Sequence, residues 1–193
     1  MSHAVSAGLI LWTTLTGARM FLYTPQFLSP SDHRHLLDEL SRVRLIDENN
    51  STAPGRLRTF MPPGSTAHRV FTSPQLAEYF TRVFSKPLEP AGIPSEHRIT
   101  IPVEYRKYQV GCGGMKWHRD TSLIGRQYEC VYTVANTSDS MTIRRDWLGN
   151  EHAVWAEPNS LLVVQAGGVM HGVSPVTIGE RSIVKFVFCD SIK

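Results

Sequence analysis

His118 and Asp120 stand two residues apart, His171 follows about 50 residues later, and Arg181 lies ten residues beyond that histidine. Residues spaced i and i+2 on an extended strand point to one face, so His118 and Asp120 can grip one ion together. A second imidazole from a distant strand would complete a facial set of two histidines and one carboxylate. Such a set holds iron(II) on one side and leaves the opposite positions open for a co-substrate and oxygen. Arg181 adds a fixed cation that a dicarboxylate could reach. A histidine-x-aspartate triplet alone arises by chance on many strands, and a lone histidine is more often surface or core than ligand. The specific signal is the combination, in this order and at these spacings, and it points to oxidative chemistry. His3, His33, His35, His68, His97 and His152 join no such pattern.

The elements that must position these residues are legible in outline. Ser29-Pro30 and Ser73-Pro74 each read as an N-cap followed by proline in the first helical turn. Leu36, Leu37, Leu40 and Val43 then recur at helical spacing, predicting a helix from about Pro30 to Arg44. Leu76, Tyr79, Phe80, Val83 and Phe84 mark a second helix ending before Pro87. Between them, residues 46 to 66 are rich in Asn, Ser, Pro, Gly and Arg and read as a long loop that could line a site. After Pro94 come short β-branched or aromatic runs: Ile99 to Tyr108, Tyr128 to Ala135, Met141 to Arg145, His152 to Trp155, Ser160 to Gln165 and Ile183 to Cys189. Gly, Pro, Asn and Asp separate them, as expected of strands. Helices first and many strands after predict an α+β, mainly β domain: a double-sheet jelly roll with the N-terminal helices packed on one sheet. His118 and Asp120 follow the bend Gly111-Cys112-Gly113-Gly114. His171 lies just beyond an apolar strand, and Arg181 opens the last one. Antiparallel pairing of the His171 region with that last strand would bring the arginine alongside the ion.

At 193 residues the chain suits one domain, 1–193, with residues 1–19 as an N-terminal arm or strand. It is 41% hydrophobic and 19% charged, which supplies a real core and no long disordered tract. A net charge of +3 without a basic cluster argues against nucleic acid as a partner. Cys112, Cys130 and Cys189 have no ligand or disulfide spacing and read as small buried thiols of a reducing compartment. Ala4 to Gly17 is apolar but lacks a basic flank and is shorter than the roughly 20 residues of a membrane span. The expectation is a cytoplasmic protein with no membrane association.

These residues resemble the iron(II)/2-oxoglutarate-dependent dioxygenases, in particular their prolyl-4-hydroxylase-like branch. The shared frame runs from Tyr105-Arg106-Lys107-Tyr108-Gln109-Val110-Gly111 to His118-Arg119-Asp120. It continues through Pro158-Asn159-Ser160 and the apolar strand to His171-Gly172-Val173-Ser174-Pro175-Val176 and Gly179-Glu180-Arg181. The resemblance covers most of residues 20 to 190. It implies a double-stranded β-helix whose open end holds Fe(II) through His118, Asp120 and His171. Arg181 would pair with the distal carboxylate of 2-oxoglutarate, supported by Tyr108 and by Thr133, chosen over Tyr132, which should face the other way. It further implies O2 as oxidant, ascorbate as a supportive reductant, and conversion of 2-oxoglutarate to succinate and CO2 coupled to hydroxylation of a C–H bond. A carboxylate at Asp120 favours hydroxylation over halogenation, since related halogenases carry a small residue there.

The chain departs from that pattern in two places. The gap from Tyr108 to His118 is one residue longer, leaving Met115 or Trp117 near the bend. Ser138 to Arg145 replaces a glycine-rich strand, which weakens the case for a peptidyl-proline substrate. The expected substrate is a small molecule, an amino acid or a peptidyl side chain. Trp117, Arg119, Arg144, Arg145, Trp147 and the 46–66 loop are candidates to line its pocket, with solvated surface the plainer reading of each. Three alternatives compete. An oxidative nucleic-acid dealkylase would carry a second arginine soon after Arg181. A non-catalytic jelly-roll binding module would have no need of all four site residues. A cupin-type enzyme would want more histidines early.

Overall fold

The computed structural model describes residues 12–13, 20–94, 96 and 99–190. In chain order the elements are β1 (Trp12–Thr13), β2 (Phe21–Thr24), α1 (Pro30–Leu40), β3 (Ile46–Asp47), β4 (Arg56–Phe60), α2 (Thr66–Phe71), α3 (Pro74–Phe84) and β5 (Leu88–Pro90). They continue with β6 (Glu104–Gln109), β7 (Met115–His118), β8 (Gln127–Asn136), β9 (Thr142–Arg145), β10 (Glu151–Val154), β11 (Ser160–Gln165), β12 (His171–Val173) and β13 (Glu180–Asp190). Of the expected N-terminal arm, β1 is described and the rest lies outside the described residues.

Both proline-led helices start where their caps dictate. The Ser29 hydroxyl accepts from the Asp32 amide at 3.1 Å, and that of Ser73 from Leu76 at 3.2 Å. The first helix stops at Leu40 rather than Arg44, because the next amides turn back in tighter bonds, Arg42 to the Glu39 carbonyl and Val43 to that of Leu40. The second ends at Ser85, which adopts the left-handed conformation at φ 54°.

The strands form a mainly β, two-sheet structure. A nine-stranded antiparallel sheet runs β1-β2-β11-β8-β13-β6-β4-β3, with β5 also on β13, and a four-stranded sheet runs β10-β9-β12-β7. At its centre, β8 and β13 are buried on both faces. Tyr128, Cys130, Tyr132, Val184, Phe186 and Phe188 point to the helices, where Phe71 stacks on Phe186 at 4.5 Å and Phe80 meets Phe188 edge-on at 4.6 Å. Of the intervening residues, Glu129, Val131, Ile183 and Lys185 line the cavity beneath the small sheet. That packing clamps the large sheet so its inner face can carry polar side chains.

Three expectations change. The 46–66 segment is a loop only in part: residues 46–47 and 56–60 form the hairpin of β3 and β4 beside β6, and the loop between them lines the site cavity through Glu48, Asn50 and Thr52. The strand expected from Ile99 begins only at Glu104, since Pro102 has no amide for a ladder. Most consequential, the His171 strand does not pair with the Arg181 strand. β12 lies between β9 and β7 in the small sheet, whereas β13 lies between β8 and β6 in the large one. The arginine therefore approaches from the opposite sheet. No helix among the described residues is long and apolar enough to cross a membrane, and Cys112, Cys130 and Cys189 are all buried.

Gly114 fixes how closely β7 approaches the chain after β12. It sits at φ +72°, and a Cβ there would overlap the Val173 carbonyl oxygen, whereas Gly111, at φ +87°, faces open space. Both alanine substitutions strain the backbone by about 1–2 kcal/mol. Gly114→Ala adds a backbone collision and should be the more destabilising by about a further 1–3 kcal/mol. Chemical denaturation of the two variants side by side checks the order.

Candidate active site

His118 closes β7 and His171 opens β12, and the two are cross-strand partners. Their rings lie 4.4 Å apart between centroids. Asp120 sits just past the end of β7, its backbone carbonyl accepting from the Gly167 amide at 2.8 Å. This tie swings the carboxylate between the two imidazoles, 3.7 Å from His118 Nε2 and 3.2 Å from His171 Nε2. The ligand atoms of all three lie within 4.8 Å of one another and could hold a metal ion.

The other ring nitrogens explain why these imidazoles are ready to bind metal. His118 Nδ1 meets the Lys116 carbonyl at 2.8 Å and His171 Nδ1 meets that of Val169 at 3.0 Å. A carbonyl only accepts, so each Nδ1 carries a proton and donates it, which makes Nε2 the nitrogen that bonds the Asp120 carboxylate when protonated and offers a lone pair to a metal when not. Burial would raise the Asp120 carboxyl, but the hydrogen bonds from His118 and His171 outweigh it and hold it well below the usual range. The bond to Asp120 raises the His118 imidazole against the opposing effect of burial. The carboxylate is thus ionised, as a ligand must be.

A cavity of about 290 Å³ joins this trio to the large sheet. Tyr108 and Arg181, cross-strand partners on β6 and β13, line it together with Thr142 of β9. Arg181 is only 2% exposed, and burial lowers its pKa. Its Nη1 donates to Thr142 Oγ1 at 3.0 Å, its Nε has no partner, and no carboxylate among the described residues reaches it. The other cations of the cavity are already matched. Arg56 Nε pairs with Glu48 at 2.5 Å, Lys185 with Glu129 at 2.7 Å, and Arg106 with Glu104.

The six residues expected at the site do not all arrive there. His118, Asp120, His171, Tyr108 and Arg181 line the cavity. The Tyr108 hydroxyl accepts from Arg56 Nη1 at 3.3 Å and faces the Met115 sulfur at 3.4 Å. Thr133 pairs with Ser160 and Ile183, on the same face as Val131; its buried hydroxyl has no partner, but it is not among the lining residues. Tyr132 points away, as expected, and bonds His33 and Asn159. Sequence reasoning missed Thr142, the direct partner of Arg181. The signal available was its place two residues before Arg144 on a strand already expected.

No protein-family model matches the chain, and no curated protein does. Solved structures do match. A Pseudomonas putida prolyl-4-hydroxylase is similar over 89% of this chain and 93% of its own, at 17% identity and a TM-score of 0.69. The chain shares this fold. The non-heme alpha-ketoglutarate-dependent epimerase SnoN from nogalamycin biosynthesis is similar over 89% of this chain and 76% of its own, at 12% identity and a TM-score of 0.70. HygX from Streptomyces hygroscopicus, solved with nickel, 2-oxoglutarate and hygromycin B bound, is similar over 91% of this chain and 84% of its own, at 12% identity and a TM-score of 0.68.

A divalent ion that binds only the folded chain should stabilise it, by about 2.7 kcal/mol at a hundredfold excess over its Kd. Nickel(II) should therefore raise the denaturation midpoint of the wild type and leave those of His118→Ala and His171→Ala unmoved. An equal rise in all three would remove these residues from the grip.

Proposed function

We propose that the chain is an Fe(II)- and 2-oxoglutarate-dependent dioxygenase of the prolyl-4-hydroxylase-like branch, a double-stranded β-helix read as one domain. Its reaction is hydroxylation of a C–H bond in a small molecule, an amino acid or a peptidyl side chain. The observation that carries this reading is one cavity holding both a two-histidine, one-carboxylate set and a buried guanidinium without a counter-ion. An unpaired buried charge is costly, so such a site is made for an anion that arrives from outside. The geometry fits: with Nη1 of Arg181 held on Thr142, the free Nε and the Nη2 on the same edge can meet a carboxylate in the two-pronged manner of guanidinium.

Bound iron(II), with 2-oxoglutarate and O2, supplies oxidative decarboxylation to succinate and CO2 and the oxidising power to attack a C–H bond. The chain supplies geometry. His118 and His171 present Nε2 on one side, and Asp120 completes a face that leaves the cavity side open. Arg181 and Thr142 would fix the distal carboxylate, with Tyr108 beside them. The pairs Arg56–Glu48 and Lys185–Glu129 keep the other charges engaged, so the co-substrate has one cation to choose. Val131, Leu162, Val164 and Ile183 line the wall and exclude water from the reacting centre. The likeness in fold to a prolyl-4-hydroxylase and to HygX, which was solved with nickel and 2-oxoglutarate, supports the assignment.

Purified protein with iron(II), ascorbate and 2-oxoglutarate should release succinate, and Asp120→Ala should abolish the release. Arg181→Gln should raise the half-saturating 2-oxoglutarate about a hundredfold, the equivalent of about 3 kcal/mol for a buried charged contact. An unaltered saturation curve would take the arginine out of its role.

A further inference from the structure

Arg144 is a second buried arginine that no carboxylate among the described residues reaches, and its strand lies beside that of His171. His152 is the cross-strand partner of Arg144, Arg144 of His171, and His171 of His118. Residues directly opposite across a ladder share a face. The four therefore form one row across the small sheet, about 4.8 Å from strand to strand, all facing the large sheet. Arg144 is 9% exposed. Its guanidinium lies over the Phe21 ring at 4.9 Å, and no hydrogen-bond acceptor or carboxylate among the described residues reaches it. Burial lowers its pKa, although Asp146 pulls the other way. Asp146 itself is engaged with His152 at 2.9 Å and with the amides of Leu148 and Asn150.

This guanidinium opens into a second cavity, of about 530 Å³, which shares Thr142 with the metal cavity. The rest of its wall is Phe21, Ala153, Val154 and the exposed Trp147, completed by Asp146 and His152, which engage each other at 2.9 Å. A cation whose face stacks on an aromatic ring keeps its N–H edge free for an anion. An apolar wall with one such edge fits an apolar body carrying one oxyanion.

We propose that this second cavity is the primary-substrate subsite, and that Arg144 there binds a carboxylate or phosphate group on an otherwise apolar substrate. Anchored one strand away from His171, such a molecule presents a C–H bond to the ion from the side opposite the Arg181 anchor. Arg144 and Arg181 thus divide two anions between them, the substrate's and the co-substrate's. The proposal rests on the reading of His118, Asp120 and His171 as the metal grip.

The test is calorimetric titration of protein loaded with nickel(II) and saturating 2-oxoglutarate, using phenylacetate, 3-phenylpropionate and phenyl phosphate as probes. The uncharged phenylacetamide and 3-phenylpropionamide are controls. At least one anion should bind, and its amide should bind at least about tenfold more weakly. Arg144→Gln should lose the same factor and Arg144→Lys should recover part of it. Tighter binding of phenyl phosphate assigns the headgroup as phosphate, and tighter binding of an acid assigns it as carboxylate. Equal binding of acid and amide, no binding of any anion, or full affinity in Arg144→Gln would overturn the proposal. Binding of 2-oxoglutarate, titrated separately into the nickel form of each protein, keeps the two readings apart. Its loss in the wild type counts against the metal-site reading, and its retention with no anion binding counts against Arg144 alone.

Discussion

A guanidinium sealed between two sheets without a counter-ion is the constraint around which this molecule is organised. Removing an arginine from water is expensive, and a fold keeps one there only when surrounding structure over-determines its position. Here Arg181 sits at the start of the central strand β13, its partners on either side being Tyr108 and Asn136. One bond, to Thr142 on the facing sheet, orients it. The remaining hydrogen-bonding capacity is left open to the cavity. The stability forgone at this point comes back from the opposite face of the same strand, where Val184, Phe186 and Phe188 pack into the helix-covered core. Period-two alternation lets one strand do both.

The small sheet answers a different constraint. It holds two imidazoles close enough that they could share an ion and still leaves room for a carboxylate. Pairing His118 with His171 sets their separation by strand spacing rather than by loop conformation, which is why so short a pair of strands suffices. The tight approach is possible only because Gly114 and Gly172 lack side chains; a Cβ on Gly172 would come within 2.8 Å of the Met115 carbonyl. The Gly167–Asp120 backbone bond then places the third donor without lengthening the strand.

The parts legible in the sequence are those where one physical signal acts alone. Ser29-Pro30 and Ser73-Pro74 mark helix starts because capping chemistry is local. Ser160 to Gln165 reads correctly to the residue because an apolar run between turns has one sensible home. That His118, Asp120 and His171 cluster, with Arg181 on the same cavity, was legible from type and spacing. The hairpin of β3 and β4 was not, since Glu48, Arg56 and Arg58 interrupt any apolar alternation. Glu48 and Arg56 face inward all the same, held by their ion pair within the cavity, with the partly exposed Arg58 beside them. The partition of His171 and Arg181 into different sheets was equally hidden, because cross-strand partnership is a non-local choice that no spacing encodes. Thr142 was hidden for the same reason: its importance lies in what faces it.

The strand β9 contributes to both cavities. Thr142 and Arg144 are two residues apart and so share a face, yet one orients Arg181 and the other stacks on Phe21. A single four-residue strand therefore sets the direction of one unmatched guanidinium and supplies the other, with His171 beside it as cross-strand neighbour. Two like charges facing one site repel each other, and anions bound at both ends would relieve that repulsion. On that reasoning the region from Ser138 to Arg145 is a wall of the site, which solvated surface would not explain: in place of glycine it carries a hydroxyl and a cation aimed inward.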